Sequence, residues 1–221
     1  MSTAAVVFDL YGTILAIEGL GGAVAAAGVA QPDPFVADWR RKQLEYAWLS
    51  SLAGAYRDFD EMTALALDHT CAQRGESLEA ATRARLIDAV RMMPAYDDVA
   101  PALRLLAARN IPLAVLTNGT PVSANAALQH AGVRDMFAGV LSVEDVRAYK
   151  PDPRVYALAT ERFACAPHEI VFVSSNAWDA WGAARFGFRV AWCNRFGNAP
   201  EVLSPAPAIV ISGLHELDAF V

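Results

Sequence analysis

An aspartate stands in the first apolar run of the chain, where its carboxylate could do chemistry. The run covers residues 4–10 (AAVVFDL) and contains Asp9, and the residues Tyr11, Gly12 and Thr13 come directly after it. A buried strand that ends in a carboxylate presents this group at the carboxyl edge of a sheet. A carboxylate there can attack a carbon atom that bears a leaving group, and water can cleave the resulting ester. This segment alone leaves open a simpler role for Asp9, which is to cap the turn that follows.

Apolar runs alternate with helical patterns through most of the chain. The further apolar runs, which predict buried strands, cover residues 111–116, 170–173 and 190–193. The helical patterns cover residues 99–109, 121–131, 153–163 and 178–186. Such alternation predicts βαβ units and a parallel sheet. Since ligands bind at the carboxyl ends of parallel strands, one edge of the sheet should collect Asp9, Thr117, Asn118, Ser174, Ser175 and Asn176.

The segment from residue 17 to residue 93 differs, because it contains helical patterns and no convincing strand. We predict consecutive helices over residues 35–52, 60–74 and 77–92, with Pro94 ending the last one. The segment follows the first strand, so it should lie over the sheet edge as a cap. The predicted fold class is α/β, a Rossmann-like parallel sheet core formed by residues 1–16 and 94–221, with a helical cap domain inserted at residues 17–93. Residues 200–207 should form an irregular loop.

Four motifs occur in a fixed order along the chain. They are FDLYGT at residues 8–13, LTNG at 116–119, YKP at 149–151 and SSNAWD at 174–179. In this order they resemble the haloacid dehalogenase superfamily, and the cap sequence WRRKQLEY at residues 39–46 resembles the L-2-haloacid dehalogenases in particular. The resemblance covers almost the whole chain. It implies that a homodimer hydrolyses short L-2-haloacids to D-2-hydroxy acids with inversion, through an ester on Asp9.

Two positions separate the chain from the phosphatases of the same superfamily. Those enzymes carry a second aspartate at the position of Tyr11, where it protonates the leaving group, whereas tyrosine is neutral and a poor acid at physiological pH. They also carry an acidic residue, which helps to hold magnesium, at the position of Ser175. A departing halide needs no proton, since it is the conjugate base of a strong acid. Both positions favour attack on carbon by Asp9, without a metal ion or cofactor.

The resemblance implies a role for each residue that receives the substrate. Arg40 in the cap and Asn118 are expected to receive the halide, because their N–H groups suit a growing negative charge. Thr117, at a position most often filled by serine, and Lys150 are expected to hold the substrate carboxylate. The extra methyl group of threonine restricts its side chain, which bears on rate and on substrate size. Further substrate contacts are expected from Tyr11, Leu44, Phe59 and Trp178.

A second group of residues is expected to orient Asp9, to stabilise the ester or to activate the water that cleaves it. By resemblance this group contains Thr13, Tyr156, Ser174, Asn176 and Asp179. Ser174 and Asn176 should hydrogen-bond Asp9 or the ester, whereas Asp179 should pair with Lys150 near the water. Simpler roles stay open for three of them: a helix cap for Asp179, a place in the core for Tyr156 and a hydrogen bond to the turn backbone for Thr13.

Composition and charge limit the partners of the chain. Its 221 residues include 18 Lys or Arg and 24 Asp or Glu, which gives a formal net charge of −6 and a pI near 5.2. This balance argues against binding to nucleic acid or to an anionic membrane. Three cysteines without metal-ligand spacing, and an N-terminus unlike a secretory signal, predict a cytoplasmic protein. Two alternatives stay open: a magnesium-dependent phosphatase or phosphonatase of the same superfamily, and a non-catalytic protein that binds small carboxylates.

Overall fold

A parallel β-sheet lies at the centre of residues 3–221, the part of the chain that this computed structural model describes. The predicted core segment begins two residues earlier, outside the described residues. The six strands found in this range are β1 Ala5–Phe8, β2 Leu113–Thr117, β3 Gly139–Ser142, β4 Ile170–Ser174, β5 Arg189–Cys193 and β6 Ile209–Ile211. Their order across the sheet is β3-β2-β1-β4-β5-β6, and all neighbours pair in parallel. The prediction of a parallel α/β sheet is therefore confirmed.

The direction in which strands are added reverses between β1 and β4, and this junction fixes where a ligand can bind. In open α/β sheets the connections leave in opposite directions at such a point, so a crevice opens beyond the carboxyl ends of the strands. Asp9 follows β1 directly, Thr117 ends β2 and Ser174 ends β4. Every residue of these three strands is buried. The continuous apolar runs thus form the middle of the sheet and deliver polar groups to one edge.

The two strands at the edges of the sheet, β3 and β6, are not predicted from the sequence. Strand β3 is only partly buried over its first three residues, and β6 has three residues, of which Val210 is exposed. An edge strand has one neighbour and less cover, so it does not need the continuous apolar run that marks a central strand. The apolar pattern of these segments therefore does not distinguish them from loops.

Four helices form the segment predicted as the cap, between residues 17 and 93. They are α1 Leu20–Ala26, α2 Pro32–Leu52, α3 Phe59–Arg74 and α4 Ala80–Ala89. Helix α1 is not predicted, because its paired glycines weaken the helical signal. The helix predicted over residues 77–92 is wrong at both ends, since Glu79 precedes the first turn of α4 and a 3₁₀ turn replaces the helix at Val90–Met92. The four helices pack on one another.

Four further helices connect the strands and agree with their predicted bounds to within one residue. They are α5 Val99–Ala108, α6 Pro121–His130, α7 Pro153–Phe163 and α8 Ala177–Phe186. Helices α6 and α7 begin at proline, directly after Thr120 and Asp152, whose side chains accept a hydrogen bond from a backbone N–H of the first turn. Within residues 3–221, no helix combines the length and the apolar character that crossing a membrane requires.

Helix α2 and the α2–α3 connection contact the loop before α7 at the carboxyl edge of the sheet. The indole N–H of Trp48 donates to the carbonyl oxygen of Lys150 at 3.1 Å. In the same loop the backbone N–H of Tyr149 donates to Ser51 Oγ at 2.8 Å, and its hydroxyl donates to the carbonyl oxygen of Arg57 at 2.7 Å. The loop that carries Lys150 is therefore fixed to α2 and to the α2–α3 connection.

A second set of contacts joins α3 to the start of α6. The carboxylate oxygen Oδ2 of Asp60 accepts hydrogen bonds from Ser123 Oγ at 2.6 Å and from Thr120 Oγ1 at 3.2 Å. Arg91 completes this contact, because it donates to Asp60 and to Ser123. Thr120, which follows Asn118 and Gly119, is thereby hydrogen-bonded to α3, the helix that begins with Phe59.

Candidate active site

Asp9 is held in one orientation by three donors to its carboxylate and by one acceptor of its backbone N–H. Its backbone N–H donates to the carbonyl oxygen of Val173 at 2.9 Å. Oxygen Oδ2 accepts from Asn176 Nδ2 at 2.8 Å and from Thr13 Oγ1 at 3.1 Å, and Oδ1 accepts from Lys150 Nζ at 3.0 Å. Only 7% of the residue is exposed. The carboxylate is therefore fixed before any substrate arrives, as a nucleophile must be for an aligned attack.

Lys150 lies between two carboxylates and is almost completely buried. Its ammonium nitrogen is 3.0 Å from Asp9 Oδ1 and 2.9 Å from Asp179 Oδ2, and the side chain is 1% exposed. Burial alone would lower the pKa of Lys150, but the charges and hydrogen bonds of Asp179 and Asp9 outweigh it and raise the pKa above its usual value. The ammonium group therefore stays charged and offsets the negative charge around Asp9.

Asp179 is fully buried and uses both carboxylate oxygens. Oxygen Oδ2 accepts from Lys150, and Oδ1 accepts from the Tyr156 hydroxyl at 2.8 Å. Burial raises the pKa of Asp179, and Lys150 opposes this shift. Burial also holds the pKa of Tyr156 well above its usual value, so the phenol stays neutral and can donate. Both carboxylate oxygens of Asp179 therefore serve the cluster, and the N-cap position of α8 is taken by Asn176.

Thr13 connects Asp9 to the loop after β4 through its hydroxyl group. Thr13 Oγ1 accepts from the backbone N–H of Ser175 at 2.8 Å, so its proton is directed to Asp9. The carbonyl oxygen of Thr13 accepts from Arg195 Nη2 at 3.3 Å, and Arg195 is ion-paired with Asp98. Sequence reasoning misses this arginine, although it stands two residues after the end of β5, on the edge where the site lies.

The hydroxyl groups of Thr117 and Ser174 both accept hydrogen bonds from backbone N–H groups. Thr117 Oγ1 accepts from Gly119 at 3.0 Å, which shapes the turn after β2 and leaves its own proton free to donate. Ser174 Oγ accepts from the N–H of Asn176 at 3.2 Å. Ser174 is expected to bond to Asp9 or the ester, but in the structure it positions the residue that does so.

Asn118 presents its amide in a known orientation, because the other end of the group is occupied. Its Oδ1 accepts from the backbone N–H of Lys150 at 3.1 Å, and only an oxygen can accept from that donor. The Nδ2 group must therefore point the other way, and it makes no hydrogen bond within residues 3–221. Two donor protons remain available there for a ligand.

A cavity at the junction of the sheet edge and the cap is lined by three of the expected site residues. They are Arg40 from α2, Tyr11 from the loop after β1 and Phe59 from the start of α3. The Arg40 guanidinium carbon lies 5.8 Å from the centre of the Phe59 ring, which in turn stacks on Tyr11. Burial lowers the pKa of Arg40, and the charge on Asp9 opposes the shift. A guanidinium stays charged in either case and gives this cavity a permanent cation.

Leu44 and Trp178 are not among the residues that line this cavity. Leu44 is buried one turn after Arg40 on α2, and Trp178 is half-buried with its ring edge-on to Trp48, 5.3 Å between centres. Trp178 therefore lies at the contact between α8 and the cap, next to the loop of Lys150. Their expected contacts with substrate stay predictions.

Gly182 in α8 allows the close approach of Tyr156, and an alanine there should disturb it. A Cβ atom at this position would lie 2.5 Å from the Tyr156 hydroxyl oxygen and 2.6 Å from Pro151 Cβ. We expect Gly182→Ala to lower the free energy of unfolding by about 1–3 kcal/mol, as overpacked cores do, measured by urea denaturation. The control is Gly22→Ala, since a Cβ on the exposed Gly22 in α1 meets nothing within 4 Å. It should raise stability by about 0.5–1 kcal/mol, and equal losses in both variants would contradict the packing argument.

The family of the chain follows from a comparison with models of protein families. The model described as haloacid dehalogenase-like hydrolase matches residues 3–187, which contain every residue of the cluster around Asp9. The chain belongs to the haloacid dehalogenase-like hydrolases. The resemblance that the four sequence motifs indicate is therefore confirmed at the level of the family.

Individual members of the haloacid dehalogenase-like hydrolases match almost the whole chain. An (S)-2-haloacid dehalogenase from Pseudomonas sp. (strain YL) is 43% identical over 210 residues, which are 95% of this chain and 90% of the relative. A crystal structure of an L-2-haloacid dehalogenase has a TM-score of 0.97 at 36% identity and covers 100% of this chain and 99% of its own. The structure of the Xanthobacter autotrophicus L-2-haloacid dehalogenase with chloropropionic acid covalently bound has a TM-score of 0.93 at 33% identity. It covers 99% of this chain and 98% of its own. The predicted fold class, an α/β core with an inserted helical cap, is confirmed.

Proposed function

We propose that this chain hydrolyses short L-2-haloacids to D-2-hydroxy acids, with inversion at C2, through an ester formed on Asp9. The observation that carries the proposal is the preorganised carboxylate of Asp9 beside the buried Lys150 cation, with Arg40 in a cavity that Tyr11 of the same loop also lines. A relative of the same fold holds chloropropionic acid covalently, which supports an ester intermediate here. The same resemblance implies a homodimer, and supports residues 1–16 and 94–221 as the core and 17–93 as the cap.

In the first step Asp9 displaces the halide. Oδ2 of Asp9 is occupied by two donors and Oδ1 by one, so Oδ1 keeps the freer lone pair for attack at C2. The new oxygen–carbon bond forms as the carbon–halogen bond breaks, and backside attack inverts C2. Thr117 and Lys150 hold the substrate carboxylate, and the N–H groups of Arg40 and Asn118 receive the halide.

In the second step water cleaves the ester at the carbonyl carbon of Asp9. The ester carbonyl oxygen is then Oδ2, which stays within reach of Asn176 Nδ2 and Thr13 Oγ1, and these two donors stabilise the negative charge that develops on it when water attacks. Asp179 takes the proton of the water, because burial raises its pKa toward the range that suits a general base. The bond between Cγ and the former Oδ1 breaks, and the departing oxygen takes a proton from Lys150 Nζ, which Asp179 reprotonates, so that it leaves as the hydroxyl group of the product. The second proton of the water goes to solvent as the Asp9 carboxylate re-forms.

Halide release separates a dehalogenase from the two alternative functions. Halide release from racemic 2-chloropropionate, measured with and without a strong chelator, should proceed equally and leave the R enantiomer unreacted. A phosphatase or phosphonatase of the superfamily requires magnesium, and would release phosphate from model esters and no halide. A protein that only binds small carboxylates would release halide from none of the chloro-, bromo- and fluoroacids offered.

A further inference from the structure

A buried glutamine in the cap contacts Arg40 and has no role in the reaction described above. Gln43 lies one turn after Arg40 on α2, is 5% exposed and lines the same cavity. We propose that Gln43, itself fixed by Thr63, is a positioning residue that orients the Arg40 guanidinium toward the leaving halide. This inference rests on the proposed function, because it assigns Gln43 a part in halide departure.

The geometry is a chain of hydrogen bonds that runs from Arg40 to the backbone of α3. Arg40 Nη1 donates to Gln43 Oε1 at 2.6 Å, and Gln43 Nε2 donates to Thr63 Oγ1 at 2.5 Å. Thr63 Oγ1 in turn donates to the carbonyl oxygen of Phe59 at 2.7 Å. Thr63 is 3% exposed, so water cannot replace these partners readily.

The direction of this chain is determined, although an amide can in principle be turned over. The carbonyl oxygen of Phe59 can only accept, so the Thr63 hydroxyl must donate to it and accept from Gln43. The NH₂ end of the Gln43 amide therefore faces Thr63, and its oxygen faces Arg40. Thr63 thus sets the amide so that an acceptor, and not a donor, meets the guanidinium.

Fixing Arg40 in this way leaves its remaining donors for a ligand. A free arginine side chain has many rotamers, and ordering it when the substrate binds or reacts would weaken its effect. Gln43 accepts a hydrogen bond from one N–H group of the Arg40 guanidinium. The ring of Phe59, the residue whose carbonyl ends the hydrogen-bond chain, also faces the guanidinium. The Arg40 guanidinium makes no other hydrogen bond within residues 3–221.

The orientation of Arg40 should matter more for the departure of chloride than for that of bromide. Chloride leaves carbon less readily than bromide and depends more on donors that stabilise its growing charge. Loss of the Arg40 orientation should therefore slow chlorinated substrates more than brominated ones. A purely structural defect has no reason to distinguish the two halogens.

The experiment compares Gln43→Leu with the matched pair Thr63→Val and Thr63→Ser. For (S)-2-chloropropionate we expect kcat of Gln43→Leu to fall about 30-fold, and for (S)-2-bromopropionate only about 5-fold, with KM changed less than kcat. Thr63→Val should shift the ratio of the two kcat values in the same direction, and Thr63→Ser, which keeps the hydroxyl, should stay near wild type.

Bromide binding gives a second readout that does not depend on turnover. Trp39 lines the cavity with Arg40, so bromide can be titrated by quenching of tryptophan fluorescence, and Gln43→Leu should weaken its binding about 10-fold. An unchanged ratio of the two kcat values together with unchanged bromide binding overturns the role of Gln43. A wild type that releases no halide overturns the proposed function instead, and the bromide titration still decides whether Gln43 orients Arg40.

Discussion

Replacing Asp9 by asparagine is expected to lower halide release by about 10⁴-fold or more. An amide has the shape of the carboxylate but is a poor nucleophile, and removing the attacking group of a covalent mechanism commonly costs this much. The fold should persist, because Lys150 keeps Asp179 as its second charged partner. Halide release from (S)-2-chloropropionate measures the effect, and circular dichroism with thermal melting checks the fold.

The matched control for this variant is Asp135→Asn, which makes the same chemical change at an exposed residue of a 3₁₀ turn. It should retain the activity of the wild type. An Asp9→Asn variant that keeps a tenth or more of the activity would show that water attacks the substrate directly, with Asp9 acting at most as a base.

Isotope labelling separates these two mechanisms in the unaltered protein. In single turnover in heavy-oxygen water, with protein in excess over substrate, the label should appear in the carboxylate of Asp9. The first hydroxy acid then carries the former Asp9 oxygen, because water attacks Cγ and not C2. Mass spectrometry of the peptide that contains Asp9 measures this label. Label found directly in the hydroxy acid would contradict the ester mechanism.

The positions of the chemical groups could be predicted from the sequence because they follow strand ends. The positions of Asp9 and Thr117 can be predicted from a buried apolar run and from the rule that parallel strands end at a common edge of the sheet. Lys150 is different, since no strand precedes it directly, and its prediction came from the resemblance carried by its motif. The long central runs also fix the helices between them, which is why α5 to α8 agree closely with prediction.

What the sequence could not predict depends on side-chain direction across distant segments. Ser174 and Asn176 are two residues apart, and only the geometry of the turn decides that the amide reaches Asp9 while the hydroxyl holds the turn. The bond between Gln43 and Thr63 joins two helices whose mutual packing no local pattern reveals. The sequence does place Gln43 on the same helix face as Arg40, because the two residues are three positions apart.

Replacing Lys150 by methionine is expected to destabilise the protein by about 3–5 kcal/mol and to abolish turnover. Methionine fills a similar volume, but Asp9 and Asp179 then face each other as buried carboxylates without their shared cation. The backbone contacts of residue 150 with Asn118 and Trp48 do not involve its side chain, so they remain. The loss therefore reports on the ammonium group, and urea denaturation measures it.

The pH dependence of this loss has a definite sign. In the wild type the pKa of Lys150 is raised, so its contribution is complete below the ordinary lysine value of 10.5 and disappears only at more alkaline pH. In Lys150→Met the cation that most strongly opposes the burial of Asp179 is gone and only the Tyr156 hydrogen bond still opposes it, so burial raises the pKa of Asp179 further. A carboxyl with a raised folded-state pKa favours folding below its unfolded value near 3.8, and this contribution disappears as the pH rises through the folded-state pKa.

The deficit of Lys150→Met relative to wild type should therefore be larger at pH 8 than at pH 4.5. The control is Lys42→Met, since within residues 3–221 the one ion pair of Lys42 is with the half-exposed Glu45. That variant should lose about 1 kcal/mol or less, with little change between the two pH values. A deficit for Lys150→Met that is the same at both pH values would mean that the two carboxylates do not depend on this cation. The account in which the Lys150 ammonium group offsets the charge of both buried carboxylates would then be wrong.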